Sequence, residues 1–69
     1  MALFSKEYNK GDVVRCESGN EIFICTKDTK FGDYGWWTNF ETINGHDIKV
    51  GDYDCRCNKC GVVLGWFEG

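Results

Sequence analysis

Cys57-Asn58-Lys59-Cys60-Gly61 is a C-x2-C-G run, the spacing with which two thiolates on one tight turn reach the same metal ion. The amides of such a turn point at the sulfurs, and the glycine after the second cysteine lets the backbone take a positive φ. Two thiolates are half of a tetrahedral zinc or iron site. Cys16, Cys25 and Cys55 hold more than enough sulfur to complete it. Cys16 comes next after Cys57 and Cys60, weighed against the alternative of a small buried hydrophobe. The fourth position lies between Cys25 and Cys55, with His46 as a further candidate.

Strand geometry ranks these candidates. A two-residue Gly19-Asn20 loop would pair 18 with 21, 16 with 23 and 14 with 25. Cys16 and Cys25 would then be diagonal neighbours on one face, about 7–8 Å apart at Cα and within reach of a shared ion. Cys55 shares a strand face with Cys57, but an i, i+2 pair along an extended strand is a poor chelate, so Cys55 reads as core filler. The expected ligands are therefore Cys16, Cys25, Cys57 and Cys60, with Cys55 as the alternative fourth. His46, the single histidine, follows the Asn44-Gly45 turn, where a lone histidine is usually exposed. No acid–base partner stands at a telling spacing from it, and the chain reads as non-enzymatic.

A chain of 69 residues makes one domain, residues 1–69, with a core small enough to need a metal, a disulfide or a partner. The first residues contain no apolar run of signal-peptide length, and no segment is long and apolar enough to span a bilayer. The expected compartment is the cytoplasm, where thiols stay reduced and five cysteines favour metal over disulfides. Their odd number points the same way. The net charge is −3, and bound thiolates would make it more negative. The eight basic residues are scattered singly, from Lys6 and Lys10 to Arg56 and Lys59, and leave no footprint for a phosphate backbone. A protein partner is expected, and neither nucleic acid nor membrane.

Nine glycines, no proline and short β-branched or aromatic runs between turn signals read as all-β. Residues 13–17 and 21–26 flank Ser18-Gly19-Asn20 as a hairpin. Residues 27–34 are a polar loop, followed by an aromatic strand over 35–40. Asn44-Gly45 is a type I′ turn signal. Residues 53–57 and 62–67 form a last hairpin closed by the cysteine turn. Residues 1–10 fit either a short helical turn or an edge strand. A weak repeat runs through the chain: Gly11-Asp12-Val13-Val14-Arg15-Cys16 parallels Gly51-Asp52-Tyr53-Asp54-Cys55-Arg56-Cys57, each followed by a turn glycine. In the first copy Ser18, or a deletion, stands where a second thiol would be.

These two stretches resemble the paired knuckles of rubredoxin-like and zinc-ribbon domains, desulforedoxin among them, over about twenty residues. Cys57 and Cys60 match the second pair of that group, and Cys16 matches the first thiol of its first pair. The resemblance implies a small antiparallel sheet of hairpins around a zinc knuckle. The metal would be structural zinc, with iron as the alternative. The missing thiol counts against electron transfer.

Phe31, Tyr34, Trp36, Trp37 and Phe40 crowd into ten residues. Such rings fill the core of a small β domain. On a strand, however, adjacent Trp36 and Trp37 face opposite sides, so one of them is left as an anchor for a partner. The aspartates read as turn residues and a solvated face. The expected function is a small zinc-stabilised protein-interaction module, a regulator docking on a larger transcription or replication machine. A rubredoxin-like iron electron carrier is the alternative, and a nucleic-acid-binding zinc ribbon the weaker one.

Overall fold

The computed structural model describes residues 7–67, and among these it has three antiparallel sheets and one short 3-10 helix. β1 (Glu7–Tyr8) pairs with β4 (Thr29–Lys30), so an edge strand, not a helical turn, follows the first six residues. β2 (Val13–Arg15), β3 (Glu21–Cys25) and β5 (Phe40–Thr42) form the second sheet in the order β2-β3-β5. β6 (Ile48–Val50), β7 (Asp54–Cys57) and β8 (Val63–Trp66) form the third. The all-β expectation holds.

The sequence repeat is also a structural repeat. Val14 opposes Phe23 as Cys55 opposes Gly65, and in both hairpins a bulge follows at once. Arg15 then faces Glu21 as Arg56 faces Val63. The Cys16 amide donates to the Asn20 carbonyl as the Cys57 amide donates to Val62, both at 2.9 Å. Gly19 and Gly61 close the two turns with N–H bonds back to Cys16 and Cys57. Both glycines have left-handed φ, 90° and 75°, a conformation most residues adopt only at a cost. The second turn is one residue longer, and it carries Cys60 directly before its glycine, where the first carries Ser18.

This loop corrects the expected register. Gly19 ends a three-residue loop over 17–19, the type that closes on a left-handed residue, instead of opening a two-residue one. Val14 consequently faces Phe23, not Cys25, and Cys16 lies across from Asn20. Cys25 lies at the other end of the hairpin, where its amide donates to Asp12. Positions 20 and 25 are five residue steps apart along the strand, about 16 Å of chain.

The expected aromatic strand is also corrected. Gly35 (φ 71°) turns the chain into a 3-10 helix, Trp36–Asn39, and extended backbone resumes only at Phe40. Thr38 donates through both its amide and its hydroxyl to the Gly35 carbonyl. The two tryptophans therefore diverge by a helical step, not by strand alternation. Trp36 is buried, 1% exposed, while Trp37 is half-buried against Phe67, ring centroids 5.2 Å apart. Tyr8, Phe31, Trp36 and Phe40 form a cluster of rings in the core, with Ile22, Phe23 and Leu64 also buried in it. Ile22 and Phe23 are adjacent on β3 and both fully buried, so this strand is covered on both faces.

Asn44 and Gly45 both take positive φ, 58° and 75°, as a type I′ turn requires. The flanking strands nevertheless do not pair with each other. β5 belongs to the β3 sheet and β6 to the β7 sheet, so this turn carries the chain from one half-repeat to the other.

Candidate metal centre

The two cysteine turns bring Cys16 and Cys60 together, and the crossover adds His46. Their ligand atoms all lie within 4.8 Å of one another. Two sulfurs on a tetrahedral zinc stand about 3.8 Å apart, from a Zn–S length of about 2.3 Å. The trio needs little adjustment to share one ion. Cys57 adjoins it: its sulfur is 3.1 Å from His46 Nδ1 and accepts the Lys59 and Cys60 amides at 3.4 Å.

His46 is held from both sides. Upstream, the Ile43 amide donates to Ile22 and the Asn44 side chain to the Glu21 carbonyl, tying the turn to the first hairpin. Downstream, Asp47 and Asn58 bond reciprocally: the Asp47 amide to Asn58 Oδ1 at 2.9 Å, and the Asn58 amide to the Asp47 carbonyl at 3.0 Å. These two residues directly follow His46 and Cys57. The clamp thus presents the imidazole to the second cysteine turn. Gly45 lies under the Lys59 ammonium, which a Cβ there would approach to 3.3 Å.

The protonation pattern suits a cation. Burial alone would raise the Cys57 thiol, but bonds from the Cys60 amide, from His46 and from the Lys59 amide bring it down to about 6. Cys16 is lowered, chiefly by the Cys60 thiol and further by the Ser18 and Glu17 amides, against its desolvation. Cys60 is pushed up to about 11, first by its bond to Cys16, then by desolvation and by Cys57. Backbone amides thus already prepare all three sulfurs for negative charge. Soft thiolates with one imidazole form a donor set suited to zinc and also used for iron.

Cys25 and Cys55 lie elsewhere. Cys25 is buried and its thiol donates to the Lys27 carbonyl at 3.0 Å. Cys55 faces the core opposite Gly65, its thiol pushed up to about 11 by burial and then by Asp54. Among the described residues neither joins the Cys16–His46–Cys60 group. His46, read from sequence as an exposed turn residue, is only partly exposed and is part of the group. A signal for it was present: the first knuckle is one donor short, and the chain has a single histidine. The reciprocal clamp that places it has no local signature.

Among the described residues no helix is long and apolar enough to cross a membrane. Compared with known protein families, curated proteins and solved structures, the chain matches none. The knuckle resemblance therefore rests on the cysteine turns and their Cys/His cluster, and no family is recognised.

Proposed function

We propose that this protein is a non-enzymatic interaction module whose fold is stabilised by one zinc ion held by Cys16, His46, Cys57 and Cys60. The observation that carries this reading is the convergence of three soft donors within 4.8 Å, from three separate chain segments, with Cys57 alongside. An ion there would cross-link both half-repeats and the crossover, and so contribute to folding in a chain with a small core. Four protein donors would leave no open coordination position for substrate, which favours a structural role over catalysis. Reduced thiols suit a cytoplasmic setting, and the acidic charge suits a protein partner over nucleic acid.

The test is metal content and its consequence. Native mass spectrometry of protein purified without added metal should show one zinc per chain. Chelation should lower the thermal midpoint sharply. A red protein with thiolate-to-iron absorption would instead support the electron carrier. A thermal midpoint unchanged after complete metal removal would end the structural-metal reading.

A further inference from the structure

A second surface feature shares no residue with the candidate metal centre. Phe31, Asp33, Tyr34, Trp36, Trp37 and Phe67 line a shallow depression of about 630 Å³. Trp36 is buried and stacks at a tilt on Phe31, ring centroids 4.7 Å apart. Trp37 and Phe67 meet edge to face beside it, both half-buried. Tyr34 is fully exposed, with no packing role that would hold a tyrosine there.

One polar feature distinguishes this depression from a plain apolar patch. Among the described residues Asp33 is its single charged residue, and neither lysine nor arginine lines it. The Asp33 carboxylate accepts a long bond from the Lys30 amide, 3.4 Å, which leaves lone pairs for a cation.

We propose that this depression receives a lysine or arginine side chain from a partner peptide. The inference rests on the interaction-module reading above and gives the partner its chemistry. Ring faces carry negative potential and attract a cation, most strongly where water is partly excluded. The Tyr34, Trp37 and Phe67 rings supply those faces, and Asp33 pairs the charge. The protein's net charge of −3 favours a basic partner over an acidic one. A peptide fits better than a small free cation, because a depression of about 630 Å³ is far larger than one ammonium group and has room for the backbone that flanks it.

The test uses the full zinc-loaded chain and three probes: acetyl-Gly-Lys-Gly-amide, the same peptide with uncharged norleucine for lysine, and tetramethylammonium chloride. Indole N–H shifts in 1H–15N spectra are followed during titration. The lysine peptide should shift the Trp36 and Trp37 indoles, and norleucine should bind about fivefold more weakly or worse, the size of one cation–π contact. Asp33→Asn should weaken binding of the lysine peptide by a similar factor. Trp37→Ala should abolish it, and Tyr34→Ala, which keeps the fold at a fully exposed position, should weaken it severalfold. Equal binding of the norleucine peptide would overturn the cation reading, and tetramethylammonium binding as tightly as the peptide would overturn the peptide assignment. No shift at millimolar peptide, in protein shown to carry one zinc, would overturn the site while leaving the metal reading intact. Peptide binding by protein without zinc would do the reverse.

Discussion

Gly65→Ala should be among the most damaging single-atom-scale changes in this molecule. Gly65 lies on β8 opposite Cys55, where the matching position of the first hairpin carries Phe23. The space a side chain would fill is taken by the aromatic core. A Cβ built there would overlap the Phe31 ring, coming within 2.6 Å of Cε1 and closer still to Cζ, and would stand 2.8 Å from Trp36 Cη2. Ring ends can often yield. Here Phe31 is 4% and Trp36 1% exposed, and each stacks on the other, so neither has somewhere to go. Overpacking of this kind costs about 1–3 kcal/mol, and the double clash puts Gly65→Ala at about 3 kcal/mol. For a domain of this size each kcal/mol moves the midpoint by about 4–8 °C, so a fall of roughly 12–24 °C is expected. Thermal unfolding followed by near-UV circular dichroism, at fixed excess zinc so that ligand linkage is constant, measures it. Zinc stoichiometry should stay at one per chain, because the added Cβ meets Phe31 and Trp36, neither of which is a donor. A midpoint within about 4 °C of wild type, under 1 kcal/mol, would show that the aromatic core is looser than its packing implies.

Cys16→Ser, His46→Ala, Cys57→Ser and Cys60→Ser should each lose bound zinc, whereas Cys25→Ala and Cys55→Ala should keep it and lose only packing; inductively coupled plasma mass spectrometry of dialysed protein decides between them. Asn58→Ala removes the acceptor of the Asp47 amide, so the positioning of His46 should loosen and zinc affinity fall about 10–100-fold, as for other groups that orient a ligand, measured by competition with a chromogenic chelator. Zinc binding near pH 7 should release fewer protons than three ordinary thiols would, because Cys57 is lowered to about 6 and Cys16 is lowered too, while Cys60 still has a proton to give; calorimetry in buffers of different ionisation enthalpy counts them. In the metal-free protein, the depressed Cys57 contributes stability that is present above its unfolded value of 9.0 and is lost as pH falls through about 6. Cys55 and Cys60, both raised to about 11, contribute stability that is present below 9.0 and lost as pH rises through about 11. Denaturation midpoints of metal-free protein should therefore rise from pH 6 to 9 and fall beyond it, and a flat profile would contradict these sulfur environments.

The local sequence determined the secondary-structure class and the two turns at the centre. Short β-branched and aromatic runs between glycines can satisfy their backbone groups only by pairing, and Gly19 and Gly61 take the left-handed backbone that closes each cysteine turn. The Gly-Asp…Arg-Cys repeat already paired Cys16 with Cys57, and the structure gives the first turn one residue fewer, with Ser18 before its glycine. Three things were decided only by the tertiary structure. The first hairpin's register depended on whether Gly19 opened or ended its loop, and that single choice moved Cys25 away from Cys16. The place of Trp36 and Trp37 depended on Gly35 starting a 3-10 turn, which a run of aromatic strand formers does not announce. The position of His46 depended on bonds from residues 43, 44 and 47 to residues 22, 21 and 58. Such contacts join segments distant in the chain, so no periodicity or spacing encodes them. An isolated histidine after a turn looks the same in sequence whether it faces solvent or stands beside a thiolate.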